Sequence, residues 1–434
     1  MSDPDLPPEP PPFDPGDWFR SGDEAAEAAA LSAAADPVRA ALAQAMERVA
    51  AGTAKIRAEE EEADAGVWPL SRLVSVELAE APPPRRWLLR QSTGDEADPL
   101  FPLGKVGILS AAGGTGKSMA LCGLALAVAT GRPWLQAGRG AQGPAGFGVV
   151  TPGRVALLLA EEDREEVIRR LYQAARLMGL SAAERGAAVD RLWIGALAGE
   201  PVELVERDND GNVNETPRAR GLRARLAAEA EADLRQRAEG VAEHLAAEAG
   251  PDGWALVIVD PLSRFGGVDT ETDNGAATRA IQALEALTKL PGGPAVMVAH
   301  HERKGSAKDE SAGQDAVRGS SAIVDGARWV ARLVPVMVGG ERWKAPDGSR
   351  AVSFLLVKTN YTPPLSERAR LLVLDSGHHG ALRVATKAEA AELETAQDEA
   401  KEDAARAKAA AAAKKAKAKD QKAGSWAPPR PEGV

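Results

Sequence analysis

The stretch Ala111-Ala112-Gly113-Gly114-Thr115-Gly116-Lys117-Ser118 lies between a short apolar run, Val106–Ser110, and a helix-forming run, Met119–Ala129. A strand, a glycine-rich loop and a helix in this order are typical of a loop that binds the phosphates of a nucleoside triphosphate. Glycines allow the backbone N–H groups to turn toward the phosphates without a Cβ in the way. The first position of the pattern is Ala111 instead of glycine, a small change that such a loop tolerates.

The loop also predicts a role for each of its polar side chains. In this pattern the lysine reaches the β- and γ-phosphates, and the hydroxyl that follows it lies on Mg²⁺. Lys117 and Ser118 occupy these two positions. We therefore expect ATP and Mg²⁺ as cofactors, with the nucleotide bound by Ala112, Gly113, Gly114, Thr115, Gly116, Lys117, Ser118 and Met119.

Composition limits the remaining classes of protein. The chain has 434 residues and a formal net charge of −10, so it does not coat nucleic acid by net charge alone, although a local basic groove remains compatible. Its one cysteine, Cys122, excludes an intrachain disulfide and a thiolate zinc site, and it fits a reducing compartment. Neither a secretory signal nor a run of about 18 apolar residues is visible, so we expect a cytoplasmic protein without a membrane partner.

The apolar runs beyond the loop predict an α/β fold. Short β-branched runs that alternate with helical stretches are typical of a mostly parallel sheet covered on both faces. Three later runs lie close together with turn signals between them, and we expect them to be antiparallel additions to one edge. The first group comprises Val155–Ala160, Leu192–Ile194, Ala255–Val259 and Ala295–Ala299, and the later group comprises Arg328–Leu333, Val352–Lys358 and Arg370–Leu374.

Composition shifts divide the chain into three parts. Residues 1–80 are first proline-rich and then alanine- and glutamate-rich, and we expect a disordered or helical extension. Residues 81–386 form the predicted ATPase domain, with a polar helical insertion over 206–250. Residues 387–434 consist largely of alanine, lysine and glutamate, and they predict a free helix or disordered arm, with a phosphate-binding tail as the alternative.

Two acids at strand ends are candidates for the chemistry. Asp260 ends the run Leu256–Val259, and ligands collect at the carboxyl edge of a parallel sheet, so Asp260 is the expected holder of Mg²⁺ beside Ser118. Because Pro261 follows it, the acid that activates water must come from another strand. Glu161 is favoured over its neighbour Glu162, since successive strand residues point to opposite faces. The alternative is that these acids only supply the first turn of the following helix.

The strand after Asp260 ends in His300-His301, beside the expected γ-phosphate. We interpret His300 as a catalytic sensor of that phosphate, with a structural histidine pair or a metal site as the alternatives. The stretch from Glu302 to Arg318 has few apolar residues and predicts a mobile loop. Its basic side chains suit the phosphates of single-stranded DNA, although a solvated loop is the simpler alternative. The candidate DNA-binding residues are Arg264, Arg303, Lys304, Lys308 and Arg318.

These motifs, taken in order, resemble the RepA-type plasmid and phage replicative helicases, a RecA-like family close to the DnaB motor domain. The resemblance covers roughly residues 82–384. Besides the glycine-rich loop, it is carried by Ala160–Asp163, Val259–Phe265, the His300-His301 pair, Arg318–Trp329 and Lys358–Tyr361.

The resemblance implies a RecA-like ATPase core and a homohexameric ring that hydrolyses ATP at subunit interfaces while it moves along single-stranded DNA. It assigns polarisation of the attacking water to Glu161, Mg²⁺ to Asp260, the sensor to His300 and the channel to the loops after Asp260 and His301. It also implies an arginine from the neighbouring subunit near Val352–Lys358, but Ser353 stands at the matching position. Lys358, Arg350 and Arg342 are the candidates to replace that arginine in trans, and a primase or initiator is a possible further partner.

Two other classes of function remain open from the sequence. One is a RecA-like ATPase without helicase activity, such as a recombination mediator or a KaiC-like regulatory switch, because those proteins also use paired acids after the second strand. The other is an assembly module that binds nucleotide without hydrolysing it.

Overall fold

The computed structural model describes residues 81–92, 98–137, 146–238, 253–267, 269–302, 316–317, 321–362 and 370–424, together with a few isolated residues between 44 and 54. A nine-stranded sheet forms the centre of the fold, in the order β16-β15-β14-β11-β3-β10-β9-β5-β6. A smaller sheet has the order β2-β1-β4, and two hairpins, β7–β8 and β12–β13, complete the strands of the described part. The strands are β1 (Trp87–Arg90), β2 (Pro99–Pro102), β3 (Val106–Ala111), β4 (Gly148–Val149), β5 (Arg154–Leu159), β6 (Leu192–Ala196), β7 (Val205–Arg207), β8 (Val213–Glu215), β9 (Trp254–Asp260), β10 (Ala295–His301), β11 (Trp329–Pro335), β12 (Met337–Val338), β13 (Glu341–Arg342), β14 (Arg350–Thr359), β15 (Arg370–Asp375) and β16 (Ala381–Val384).

Helices cover both faces of the large sheet. Those discussed below are α1 (Lys117–Thr130), α2 (Arg164–Leu177), α3 (Ala182–Val189), α4 (Pro217–Ala238), α5 (Leu262–Phe265), α6 (Asn274–Leu287), α7 (Ser321–Gly326) and α8 (Lys387–Gly424). One core cluster contains α1 and part of α2 and α3, and a second contains α4 and α6. Strands β3, β10, β9 and β5 are parallel to their neighbours and almost wholly buried, and the half-buried strand β6 adds a further parallel strand at the edge. This arrangement confirms the α/β fold with a mostly parallel sheet and a RecA-like core.

One part of the strand prediction is wrong. The run expected as Arg328–Leu333 forms β11, which is parallel to β3 and lies directly beside it. It is therefore part of the parallel sheet, because the chain reaches β11 through the crossover helix α7. Only β14, β15 and β16 form the antiparallel extension, with β14 paired to β11.

The insertion that was expected to be a polar helix over 206–250 begins with a hairpin. Strands β7 and β8 pair around a turn in which the Asp208 carboxylate accepts hydrogen bonds from the backbone N–H groups of Asp210 and Asn212. The following helix α4 is not solvated all round, because it buries Leu226, and the Trp254 indole donates to the Leu226 carbonyl at 2.8 Å. Residues 239–250 lie outside the described part.

The C-terminal segment, predicted as a free helix or a disordered arm, forms helix α8 over Lys387–Gly424, and the first turns of this helix pack against the domain. Thr386 and Glu389 form a reciprocal capping pair, and Arg383 donates two hydrogen bonds to Glu389 at 2.7 and 2.8 Å. These bonds lower the pKa of Glu389 to about 2. Leu393 is buried in a cluster with Val336 and Trp343, which flank the hairpin β12–β13, so the start of this helix is not a free arm.

Candidate active site

The phosphate-binding loop joins β3 to α1 at the carboxyl edge of the parallel sheet. Gly114 and Gly116 have φ values of +70° and +88°, which favour glycine. A Cβ on Gly116 would lie 2.7 Å from Leu382 and 2.9 Å from Leu374, so the loop also needs glycine for its close approach to β15 and β16. All eight predicted cofactor-binding residues, Ala112 to Met119, line one cavity of ≈ 590 Å³.

The two predicted acids line the same cavity as the lysine. Strands β5 and β9 are adjacent and parallel, and the Ala160 N–H donates to the Asp260 carbonyl at 2.9 Å. Asp260 ends β9 and Glu161 follows the end of β5, so the two acids lie at neighbouring strand ends. Both acids and Lys117 line the cavity. Burial lowers the pKa of Lys117, and the charges of Asp260 and Glu161 oppose that change.

Asp260 is the buried carboxylate of the site. Burial raises its pKa, opposed by the charge of Lys117 and by a hydrogen bond from the Ser118 hydroxyl. Its second oxygen, Oδ2, is buried and accepts no hydrogen bond from the residues that the structure describes. A buried carboxylate oxygen without a donor beside a serine hydroxyl is a donor set that suits a hard divalent cation or its bound water. The residues therefore fit the Mg²⁺ that the loop pattern implies.

Glu161 and Glu162 have different partners. Glu162 accepts a hydrogen bond from Arg170 Nη2 at 2.5 Å, and Arg170 also donates to Glu166 at 3.0 Å, so this acid belongs to a network on α2. Glu161 is more exposed, and its Oε1 lies 3.8 Å from Nε of Arg264. Both acids line the cavity, but only Glu162 is tied to α2 by an ion pair.

The histidine expected to face the nucleotide is the wrong one of the pair. Residues Ala295, Met297 and Ala299 of β10 belong to the core cluster of α1, whereas Val296 and Val298 belong to the opposite one. By this alternation His301 shares the face of α1 and lines the cavity, and His300 lies on the other face with no exposed surface. Adjacent strand residues diverge, so a sensor of the bound nucleotide on this strand would be His301.

The stretch after His301 also differs from the prediction. Glu302 was assigned to a mobile loop, but its side chain is fully buried and pairs with Arg332, at 2.7 Å between Oε1 and Nε. Ala316 and Val317 are buried as well. The candidate DNA-binding residues Arg303, Lys304, Lys308 and Arg318 lie outside the described residues.

The candidates for an arginine acting in trans occupy opposite ends of β14. Arg350 begins the strand and lines the nucleotide cavity of its own chain. Lys358 is near the other end, where its amine donates to the Val324 and Asp325 carbonyls at 2.7 and 3.2 Å. Ser353 is buried between them. Arg342, on β13, contacts the phosphate-binding loop of its own chain.

Several cavity residues carry no motif and were missed by the sequence reasoning. They come from α2, from the end of β15 and from the turn between β15 and β16, which the fold brings to the loop from distant parts of the chain. They are Glu166, Arg169, Arg170, Tyr172, Gln173, Leu374, His379 and Gly380. Cys122 is buried in α1, and burial raises its pKa to about 12.

A RecA-like core with a glycine-rich loop, a buried lysine and a strand-end aspartate in one cavity defines a P-loop ATPase. A protein-family model described as an AAA domain matches residues 67–307, more than half of the chain. The chain therefore belongs to this family of AAA-domain ATPases, which implies that it binds and hydrolyses ATP. Among the described residues, no helix combines the length and the apolar character needed to cross a membrane.

Proposed function

We propose that this ATPase is an ATP-dependent DNA motor, a homohexameric helicase that couples ATP hydrolysis to movement along single-stranded DNA. The observation that carries the proposal is the contact between Glu161 and Arg264. Arg264 lies on the short helix α5, directly after Asp260, and its side chain is 63% exposed. A DNA phosphate that binds Arg264 competes with Glu161 for the same guanidinium.

In the proposed mechanism, Lys117 holds the β- and γ-phosphates, and Glu161 accepts a proton from the attacking water. Ser118 and Asp260 hold Mg²⁺, which supplies charge stabilisation to the phosphates when it is bound. His301 senses the γ-phosphate from the end of β10. Without DNA, the ion pair with Arg264 holds Glu161 away from the attacking water, so binding of DNA to Arg264 releases Glu161 and accelerates hydrolysis.

The resemblance to RepA-type helicases supports the same proposal at the level of assembly. It supports a ring of six chains, with the stretches after Asp260 and His301 facing the DNA, and a primase or initiator as a further partner. Lys358 remains the proposed trans-acting residue, because it lies near the end of β14 that points away from the cavity of its own chain.

The test is steady-state phosphate release with and without an oligonucleotide at low salt, where phosphate contacts are strongest. We expect stimulation of several-fold for the wild-type protein and loss of that stimulation in Arg264→Ala. Arg225→Ala is the matched control, because Arg225 is an arginine on α4 whose side chain is 80% exposed. Imaging of the same samples is expected to show closed rings.

Turnover that is indifferent to DNA at low salt would reject the motor. It would favour the regulatory or mediator class of RecA-like ATPase instead. Filaments in place of rings would point to the same alternative.

A further inference from the structure

The hairpin β12–β13 brings an arginine to the phosphate-binding loop of its own chain. Arg342 is the last residue of β13, and its two terminal nitrogens lie 3.4 Å from the carbonyl oxygens of Gly113 and Gly114. The hairpin and the loop are far apart in the sequence, so this contact is a product of the fold. It puts a guanidinium against the backbone of the phosphate-binding loop without help from a second chain.

We expect the contacted part of the loop to lie nearest the γ-phosphate of a bound nucleotide. The α- and β-phosphates lie at the N-terminus of the helix that follows such a loop, which here begins at Lys117. Gly113 and Gly114 precede that helix start and are therefore on the γ side of the triphosphate. The acids that line the same cavity, Glu161 and Asp260, follow neighbouring strand ends.

The hairpin is held firmly at its base. Gly339 and Gly340 form its two-residue turn with φ values of +60° and +89°, which is the geometry that a tight hairpin of this length requires. Trp343 is buried against Val336 and Leu393 of α8. Only the side chain of Arg342 therefore has to move to meet a ligand.

The present partners of Arg342 are weak ones. A distance of 3.4 Å is long for an N–H···O bond, and a carbonyl is a neutral acceptor. A phosphate oxygen offers a charged acceptor that the planar guanidinium binds with two donors. A bound triphosphate is therefore expected to draw Arg342 away from the two carbonyls.

We propose that Arg342 is a catalytic arginine that acts in cis on the γ-phosphate of the nucleotide bound by its own chain. The proposal rests on ATP hydrolysis at the cavity described above, but not on DNA binding or on a ring. The water oxygen forms a bond to the γ-phosphorus and passes its proton to Glu161. The bond between that phosphorus and the β–γ bridging oxygen breaks, and ADP leaves with the electron pair on this oxygen. Arg342 stabilises the negative charge on the γ-phosphoryl oxygens and on the leaving oxygen.

The first measurement is the turnover of Arg342→Ala with ATP binding measured in parallel. Arginines in this role accelerate phosphoryl transfer by about 10³–10⁵-fold, so we expect kcat to fall by at least about 10³-fold. ATP affinity is expected to stay within about fivefold, which also reports that the loop remains folded. Arg342→Lys keeps the charge but loses the planar guanidinium, so its kcat is expected to lie between those of the wild-type protein and Arg342→Ala. Lys344→Ala is the matched control, because Lys344 is an exposed cation next to the same hairpin.

The second measurement separates action in cis from action in trans. Arg342→Ala and Lys117→Ala chains with different tags are co-expressed, and mixed assemblies are purified through both tags. If Arg342 acted on a neighbour, the Lys117→Ala chains would supply the arginine to intact sites, and turnover would recover. Action in cis predicts no recovery, because every chain lacks one required group.

Recovery in mixed assemblies would overturn the proposal, as would an Arg342→Ala protein with kcat within twofold of wild type. If the chains do not assemble, loss of turnover in Arg342→Ala supports action in cis directly. If turnover does not respond to DNA but is lost in Arg342→Ala, the proposed motor function is rejected and the role of Arg342 in cis still holds.

Discussion

At the carboxyl ends of the parallel strands, polar side chains lie in different environments on the two faces of the central sheet. On the face of α1, Lys117, Asp260 and His301 border a cavity. On the other face, His300, Glu302 and Arg332 are enclosed by protein, and Glu302 pairs with Arg332 at 2.7 Å. His300, His301 and Glu302 follow one another at the end of β10, so the direction of each side chain decides its environment.

The comparison separates polar groups that stabilise the fold from those that do chemistry. A buried ion pair satisfies its own charges and excludes a ligand. A buried carboxylate with an oxygen that accepts no hydrogen bond from the described residues, as in Asp260, is costly unless something else binds there. The face of α1 therefore carries the function, and the opposite face holds the strand ends in place.

The largest expected effect is on the functional face. Glu161→Gln removes the proposed base while it keeps the size of the side chain, so kcat should fall by about 10²–10⁴-fold. ATP binding should persist, because the phosphates are held by the loop and by Lys117. Phosphate release under saturating ATP, together with a nucleotide-binding titration, measures both quantities.

Glu162→Gln is the control for this experiment. Its carboxylate is held by Arg170, so we expect a change in kcat of less than about tenfold from the loss of one ion pair at the cavity wall. A larger loss in Glu162→Gln than in Glu161→Gln would reverse the assignment of the base.

The second prediction concerns the enclosed face. Glu302→Gln leaves the charge of Arg332 buried without its counter-charge, and breaking one partner of such a pair costs about 3–5 kcal/mol. Chemical denaturation should show a free energy of unfolding lower by that amount. The folded fraction should keep its ATP affinity within about threefold. A variant as stable as wild type would show that the pair is not needed for the fold.

The double variant Glu302→Leu with Arg332→Met sharpens the same test. Apolar residues of similar volume often replace a buried ion pair at little cost, so the double variant should be more stable than Glu302→Gln. If it is less stable, the charges themselves hold the end of β10 to β11.

The sequence was sufficient for those features that depend on local pattern. The glycine-rich loop and the strand-end acids Glu161 and Asp260 follow from residue types at fixed spacing, and the fold brings them to one cavity. The parallel sheet followed from short β-branched runs between helices. In these cases the chemistry of neighbouring residues determines the structure.

The remaining features depend on which distant segments meet. From the sequence, Arg342 was a candidate only for the site of a neighbouring chain, and His379 had no predicted role, because both residues reach the loop of their own chain only through the antiparallel strands added after β11. The burial of Glu302 was missed for the same reason, since its partner Arg332 lies on another strand. The choice of His300 over His301 failed because the phase of β10 is set by its packing between two layers of helices.

The adjacent histidines provide the finest test of the comparison, because one lies on each face. His301→Gln should reduce kcat by roughly tenfold, less than the ~10²–10⁴-fold of a group that transfers a proton, and leave stability unchanged. His300→Gln should lower the free energy of unfolding by about 1–3 kcal/mol, since it disturbs a polar group without exposed surface, and leave kcat of the folded protein unchanged. Phosphate release gives kcat for each variant, and urea denaturation gives the free energy of unfolding for each. The opposite pattern, with turnover lost in His300→Gln and stability lost in His301→Gln, would mean that the two faces are assigned the wrong way round at the end of β10.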